Sequence, residues 1–316
     1  LEFTERGYVQ RRSQRAFQRS QERHEPLPPK LAEMNDDVVI QTISATTRDL
    51  LLVLTRSGKA FTVNVDDIPT TTRNSRGTAL ISLLPPSAYE GQEAIAAQLI
   101  LPTGSDRQDL ILLTRQGRIK RLSLDEFNSI SNRGLTAIKL KDEDELTGVT
   151  LGRTGQEIVV ATSGGRVLRF AIDDEQLAVM TRTAQGNAAV RVRKAEQVVG
   201  CAVIDAGEDV VLISQQGYIK RLDGASLRLG NRGDLGIQAM QFALKGDRLL
   251  SILPAVATAD VLIMTNEQRV AQIYLEDMMA SDRNSTGDRL LKPKRSETLT
   301  AAYLLPSLDN DKGNED

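Results

Sequence analysis

The sequence predicts an all-β fold of six propeller-type blades. Three observations predict it: a four-residue pattern ending in glycine that recurs along the chain, a short apolar run before it, and a strand-like segment after it. The pattern occurs as Thr4-Glu-Arg-Gly7, Thr55-Arg-Ser-Gly58, Thr114-Arg-Gln-Gly117, Thr162-Ser-Gly-Gly165, Ser214-Gln-Gln-Gly217 and, in a worn copy, Thr265-Asn-Glu-Gln268. Successive spacings of 51, 59, 48, 52 and 51 residues match the period of the larger propeller blades.

Each element follows in order. Runs such as Leu110-Ile-Leu-Leu113, Ile158-Val-Val-Ala161 and Val210-Val-Leu-Ile213 are continuously apolar, as expected of strands buried on both faces. A second strand follows each turn, as in Gly117-Arg-Ile-Lys-Arg-Leu122, so each pair reads as a β-hairpin. Residues 11–23 are the one segment that reads as helical, and Glu25-Pro-Leu-Pro-Pro-Lys30 after them is a stiff, extended connector. A second landmark lies 16 to 21 residues after each turn: Arg76-Gly77, Arg133-Gly134, Gly186, Arg232-Gly233 and Gly287. Each of these glycines reads as a bulge or positive-φ position of the blade. Residues 1–306 form the six-repeat domain, and 307–316, with four acids and one lysine, form a disordered acidic tail.

Composition removes whole classes of function. With 40% hydrophobic and 26% charged residues the chain has ample apolar surface for a core. Its longest apolar stretches, such as Leu50 to Leu54, fall far short of the roughly 18 residues of a membrane helix. The start, Leu1-Glu-Phe-Thr4, reads as cut from a longer chain, and the fragment is expected in the cytoplasm. A single cysteine, Cys201, and a single histidine, His24, leave no internal disulfide and no zinc cluster, and remove most nucleophilic triads. His24 reads as an ordinary exposed side chain. No Gly-rich phosphate loop is present, so an enzyme with a central site is the most distant alternative.

The 40 basic and 42 acidic residues give a net charge of −2, so any attraction to a polyanion must come from segregated charge. Two positions after each turn stands an apolar residue, Val9, Ala60, Ile119, Val167, Ile219 or Val270, which is expected to face the core. Strand alternation then turns Lys59, Arg118, Lys120, Arg166, Lys220 and Arg269 outward, with Arg11, Arg121, Arg169 and Arg221 at the strand ends. Acidic pairs recur eight positions after the turn (Asp66-Asp67, Asp125-Glu126, Asp173-Asp174, Glu276-Asp277) and are expected at a different height, leaving a basic rim. The plain alternative is a solvated edge protected against aggregation. Arg11, Arg12, Arg15, Arg19 and Arg23, with Phe17 among them, form the densest basic segment and the best phosphate-binding candidate. Arg76, Arg133 and Arg232 are weaker candidates, because an Arg-Gly pair also serves the fold.

The chain resembles the C-terminal β-pinwheel domain of the A subunit of bacterial DNA gyrase and of topoisomerase IV. The resemblance is carried by Phe3-Thr-Glu-Arg-Gly-Tyr-Val9, Leu54-Thr-Arg-Ser-Gly58, Ile68-Pro69 with Arg76-Gly-Thr-Ala79, Leu113-Thr-Arg-Gln-Gly-Arg-Ile-Lys-Arg121, Gly217-Tyr-Ile-Lys-Arg221 and Asn231-Arg-Gly233. It implies a six-bladed pinwheel whose blades exchange strands, and which binds and bends double-stranded DNA around its outer edge. The expected partners are DNA, the remainder of the gyrase-type chain and its separate ATPase partner, with no membrane and a monomeric fragment. ATP and magnesium would serve other domains of the parent topoisomerase, and no cofactor is expected here. The family's seven-residue gyrase box, aligned without gaps from Gly7, falls on Ser20 to Pro26, where none of its seven positions matches. Chiral wrapping of the gyrase kind and simpler bending of the topoisomerase IV kind therefore both remain, beside a protein-interaction propeller.

Overall fold

The computed structural model describes residues 1–21, 27–34, 36–72, 75–89, 94–102, 108–127, 130 and 133–306. They form six β-sheets, each ordered third strand, first strand, second strand, exchanged strand. Blade 1 comprises Val39–Thr42, Glu2–Thr4, Tyr8–Gln10 and Thr78–Ala79. Blade 2 comprises Ile95–Ile100, Leu50–Thr55, Lys59–Asn64 and Leu135–Thr136. Blade 3 comprises Leu146–Gly152, Asp109–Thr114, Arg118–Ser123 and Asn187–Ala188. Blade 4 comprises Val198–Ile204, Glu157–Thr162, Arg166–Ala171 and Ile237–Gln238. Blade 5 comprises Leu249–Pro254, Val210–Ser214, Tyr218–Leu222 and both Ala280–Ser281 and Asp288–Arg289. Blade 6 comprises Leu299–Pro306, Ala259–Thr265, Arg269–Tyr274 and Ala32–Glu33. The helix Gln14–Gln21 occupies the segment that reads as helical.

Third strands of successive blades pack against one another around the axis, so the exchanged strands form the outer edge. The continuous apolar runs are buried on both faces, as expected, because each blade is sandwiched between two others. Leu51 and Val53 enter the cluster shared with Phe3 and Val9 of blade 1, whereas Leu52 and Leu54 enter the one shared with Leu110 and Leu112 of blade 3. Ile111 and Leu113 likewise meet Ile158 and Val160 of blade 4. The core is thus a ring of layers between blades. The last layer joins blade 6 to blade 1 through Leu262, Met264, Val270 and Val38.

The recurrent Thr/Ser explains itself at the hairpin. Its carbonyl accepts from the fourth residue's N–H in all six copies (2.9–3.2 Å). In five of them its hydroxyl also accepts the next N–H, as from Lys59 to Thr55 at 3.2 Å and from Arg118 to Thr114 at 3.0 Å. At the same residue the pairing with the third strand shifts register, a bulge that bends the strand. The fourth residue has positive φ, 78–86° at the glycines and 58° at Gln268.

Every exchanged strand comes from the following repeat, and Ala32–Glu33 of the first repeat closes the ring on Arg269–Tyr274. The landmark glycine stands immediately before that strand, where it passes over the neighbouring blade's backbone. A Cβ on Gly186 would lie 2.5 Å from the carbonyl oxygen of Ile119, and one on Gly236 would lie 2.5 Å from that of Val167. Gly236 therefore holds the landmark place in the fifth repeat. Gly233 does not, since its Cβ would meet nothing closer than 3.7 Å.

Gln268 carries the steric cost of the left-handed region that its five counterparts avoid. Gln268→Gly is expected to stabilise the domain by about 0.5–1 kcal/mol, read as a rise in denaturant midpoint. A fall would show that the Gln268 side chain contributes more than its backbone strain costs.

Candidate nucleic-acid interface

The second strands do not present their bases as alternation implies. Residues three places after the turn, Phe61, Lys120, Leu168, Lys220 and Ala271, are all buried, because the neighbouring blade covers the second face as well as the first. Lys120 is 0% exposed, and its Nζ donates to the carbonyls of Ala137 (2.6 Å), Arg182 (2.7 Å) and Ala184 (3.4 Å). Lys220 is 1% exposed and donates to the carbonyls of Asp282 (2.8 Å), Arg283 (3.1 Å) and Ser285 (3.1 Å). Arg166 is also buried, with Nη1 3.4 Å from Gln238. Lys59 and Arg118 are half-buried, and Arg118 donates to the Gly186 carbonyl at 3.3 Å. Arg269 pairs with the buried Glu297 at 2.8 Å and bonds the Leu31 carbonyl at 2.5 Å.

The strand-end arginines are clamps between blades. Arg121, Arg169 and Arg221 each meet an acid at the start of the first strand: Asp109 (2.7 Å), Glu157 (2.6 Å) and Asp209 (2.7 Å). Each also reaches carbonyls of the next repeat, Leu177 for Arg121, Gly224 and Leu227 for Arg169, and Met278 for Arg221. Arg11 bonds the carbonyls of Val65, Asp66 and Ile68 and the Asp66 carboxylate (2.9 Å). Asp174 lies 3.8 Å from Arg121. The expected separation of acids from bases is therefore corrected: strand exchange lays the turns of Asp66-Asp67, Asp173-Asp174 and Glu276-Asp277 against Arg11, Arg121 and Arg221 of the preceding blade.

Exposed arginines stand in the outer loops between second and exchanged strands, and further exposed bases, among them Arg191, Arg193, Lys245 and Lys292, lie between exchanged and third strands. In the first repeat this segment is the helix, where Ser13 accepts the Ala16 N–H (3.3 Å) and Arg15 and Arg19 are exposed one turn apart. Arg12 is turned back onto Glu2 (3.1 Å) and Gln10. Arg23 and most of the box position 20–26 lie outside the described residues, as does the tail 307–316. Arg76 and Arg133 are exposed in the next two loops. Arg182, in the fourth repeat, is half exposed and 3.1 Å from Glu126. Arg228 and Arg283 are exposed, whereas Arg232 is half-buried and donates to the carbonyls of Gln176 and Ala188.

Sequence reading missed Arg182, Arg228 and Arg283. The signal for two of them was an offset measured from a different landmark. An arginine stands five residues after the apolar residue that ends the preceding turn: Ile68 to Arg73, Leu177 to Arg182, Leu227 to Arg232, Met278 to Arg283. Loops 69–77, 128–134 and 178–186 contain arginine and no acid. This is the charge segregation that a net of −2 conceals.

Among the described residues no group of three or more His, Cys, Asp or Glu could hold a metal ion, and burial pushes the Cys201 thiol up to about 12. Burial lowers Lys120 and Lys220 to about 8, with Glu126 and Asp282 respectively opposing the shift. Between about pH 8 and the ordinary 10.5 the unfolded chain then binds more protons than the folded one, so stability rises with pH in that window. Wild type is expected to gain stability relative to Lys120→Met/Lys220→Met across that window in urea titrations. A constant difference would show that the folded-state ammoniums keep their ordinary affinity for protons.

Residues 49–97, 108–151, 156–205 and 208–255 match the family model described as DNA gyrase C-terminal domain, beta-propeller. The A subunit of DNA topoisomerase 4 from Synechocystis sp. is 35% identical over 292 residues, 86% of this chain and 31% of that protein. The A subunit of DNA gyrase from Mycobacterium tuberculosis is 27% identical over 299 residues, 95% of this chain and 35% of that protein. The chain thus spans about a third of the length of these relatives. The crystal structure of the C-terminal domain of DNA topoisomerase IV superposes with a TM-score of 0.81 at 20% identity, covering 97% of this chain and 92% of that one. The DNA gyrase A C-terminal domain gives 0.71 at 18% identity, covering 96% and 98%. The fold is shared with both structures, and the four matched stretches, which together cover more than half of the chain, show that it belongs to the DNA gyrase C-terminal domain family.

Proposed function

We propose that this domain binds double-stranded DNA along its outer edge, without reading base sequence, and bends it, as part of the DNA-cleaving chain of a type II topoisomerase. The observation that carries the proposal is the run of outer loops bearing exposed arginine: Arg15 and Arg19, Arg76, Arg133, Arg182, Arg228 and Arg283. Phosphate contacts fix position and carry no base information. Contacts spread over successive blades suit a curved path, and bending a short site by 40–90° costs on the order of 1–6 kcal/mol that they offset. The parent enzyme would work with a separate ATPase partner in the cytoplasm, and its ATP and magnesium chemistry would lie in other domains. None of the seven box positions is matched at 20–26, which favours bending of the topoisomerase IV kind over chiral wrapping.

A second reading has its own observation. Val179, Leu229 and Met279 are 47%, 50% and 88% exposed on the same outer edge, an apolar content that suits a protein partner.

Replacing Arg76, Arg133, Arg182 and Arg283 together by Ala is expected to weaken binding equally on unrelated duplexes and to reduce the salt slope by about one unit per arginine. Unchanged affinity would remove the outer loops from the DNA contact. Ligation of nicked plasmid in the presence of the domain tests the geometry. Salt-sensitive binding with no linking-number shift is the expected result, a shift would establish chiral wrapping, and no binding at all would favour the protein partner.

A further inference from the structure

We propose that Lys120 and Lys220 are positioning residues for the DNA contact: each buried ammonium shapes the outer loop that presents Arg182 or Arg283 to phosphate. The proposal rests on the outer-edge reading above. The two lysines occupy the same place in blades 3 and 5, three residues after the turn glycine. Each reaches across the strand exchange into the loop of the following repeat. Each donates to the carbonyl of the arginine itself, Arg182 at 2.7 Å or Arg283 at 3.1 Å, and to the carbonyl two residues later, Ala184 at 3.4 Å or Ser285 at 3.1 Å. An ammonium has three N–H donors and no acceptor, and a third carbonyl, Ala137 or Asp282, completes each set.

Turn bonds close each loop, from the Ala184 N–H to the Thr181 carbonyl (3.1 Å) and from the Ser285 N–H to the Asp282 carbonyl (3.1 Å), and the lysine adds its bonds from beneath. Residues 181–183 and 282–284 are exposed, so no packed side chain defines their path. Carbonyl oxygens that converge on one point repel unless a donor stands among them, and the lysine supplies it. Blade 4 shows the alternative. Leu168 stands in the lysine's place, and there the loop's own Arg232 is half-buried and spends its guanidinium on the carbonyls of Gln176 and Ala188. Blade 1 has Gln10 at this position, whose amide donates to the Arg76 carbonyl at 3.3 Å. A donor beneath the loop thus recurs in blades 1, 3 and 5, under Arg76, Arg182 and Arg283, whereas apolar Phe61 and Leu168 hold that place in blades 2 and 4.

The test is a pair of double-mutant cycles read as affinity of the full chain for a labelled linear duplex at fixed salt. Arg283→Ala is expected to weaken binding by about threefold, the share of one phosphate contact. Lys220→Met is expected to do the same, and the double variant to lose no more than either single one. Lys120→Met with Arg182→Ala repeats the cycle. Losses that multiply in the double variant would overturn the proposal, since a lysine acting through bulk charge or general stability adds independently. Arg283→Ala weakening binding while Lys220→Met does not would also overturn it and leave the outer-edge reading standing. No effect of Arg283→Ala or Arg182→Ala would instead remove that reading, and the proposal with it. If Lys220→Met does not fold, Lys220→Gln keeps two N–H donors in the loop. It is expected to retain most of the wild-type affinity, and a full threefold loss that multiplies with Arg283→Ala would overturn the proposal.

Discussion

Strand exchange is the constraint on which the rest of this structure depends. Each blade takes its outermost strand from the next repeat, and the first repeat supplies that of the last blade. A repeat therefore leaves a sheet edge open and two apolar faces bare until both neighbours are in place. The glycine before the exchanged strand of blades 1 to 5 follows from the same constraint, because the incoming chain crosses its neighbour's backbone, or at Gly134 the Phe61 ring, too closely for a Cβ. So do the arginine clamps, which join the start of one blade to the turn of the next.

Exchange also sorts the cations into two populations. Those on the second strands end up beneath the loop that crosses over them. There they bond carbonyls and carboxylates, and an unpaired charge would be costly. Those within the crossing loop stay outside, except Arg12 and Arg232, which fold back onto the blades. The rim is thus built in two layers, a buried one that organises backbone and an exposed one available to a polyanion, and a count of charges per repeat does not distinguish them.

Much of this was legible beforehand. The Thr/Ser-x-x-Gly recurrence and its Gln268 copy marked all six hairpins, since a hydroxyl accepting an N–H across a positive-φ residue, present in five of them, is a local device that needs no tertiary context. The continuously apolar first strands announced burial on both faces. The same observation, applied to the second strands, would have warned that Lys120 and Lys220 had no outward side to turn to. The landmark in the fifth repeat was read at Gly233 and belongs to Gly236, because two glycines stand three residues apart and only backbone proximity tells them apart.

By itself the sequence determined the repeat number, the hairpins, the family and the presence of a cation-rich outer segment, all properties of local spacing. The tertiary structure alone decided which cations face solvent. That choice depends on which chain segment passes over which strand, a contact between residues 60 or more positions apart, as between Lys120 and Arg182 or Lys220 and Arg283. Alternation along one strand carries no information about a neighbour that arrives from the next repeat.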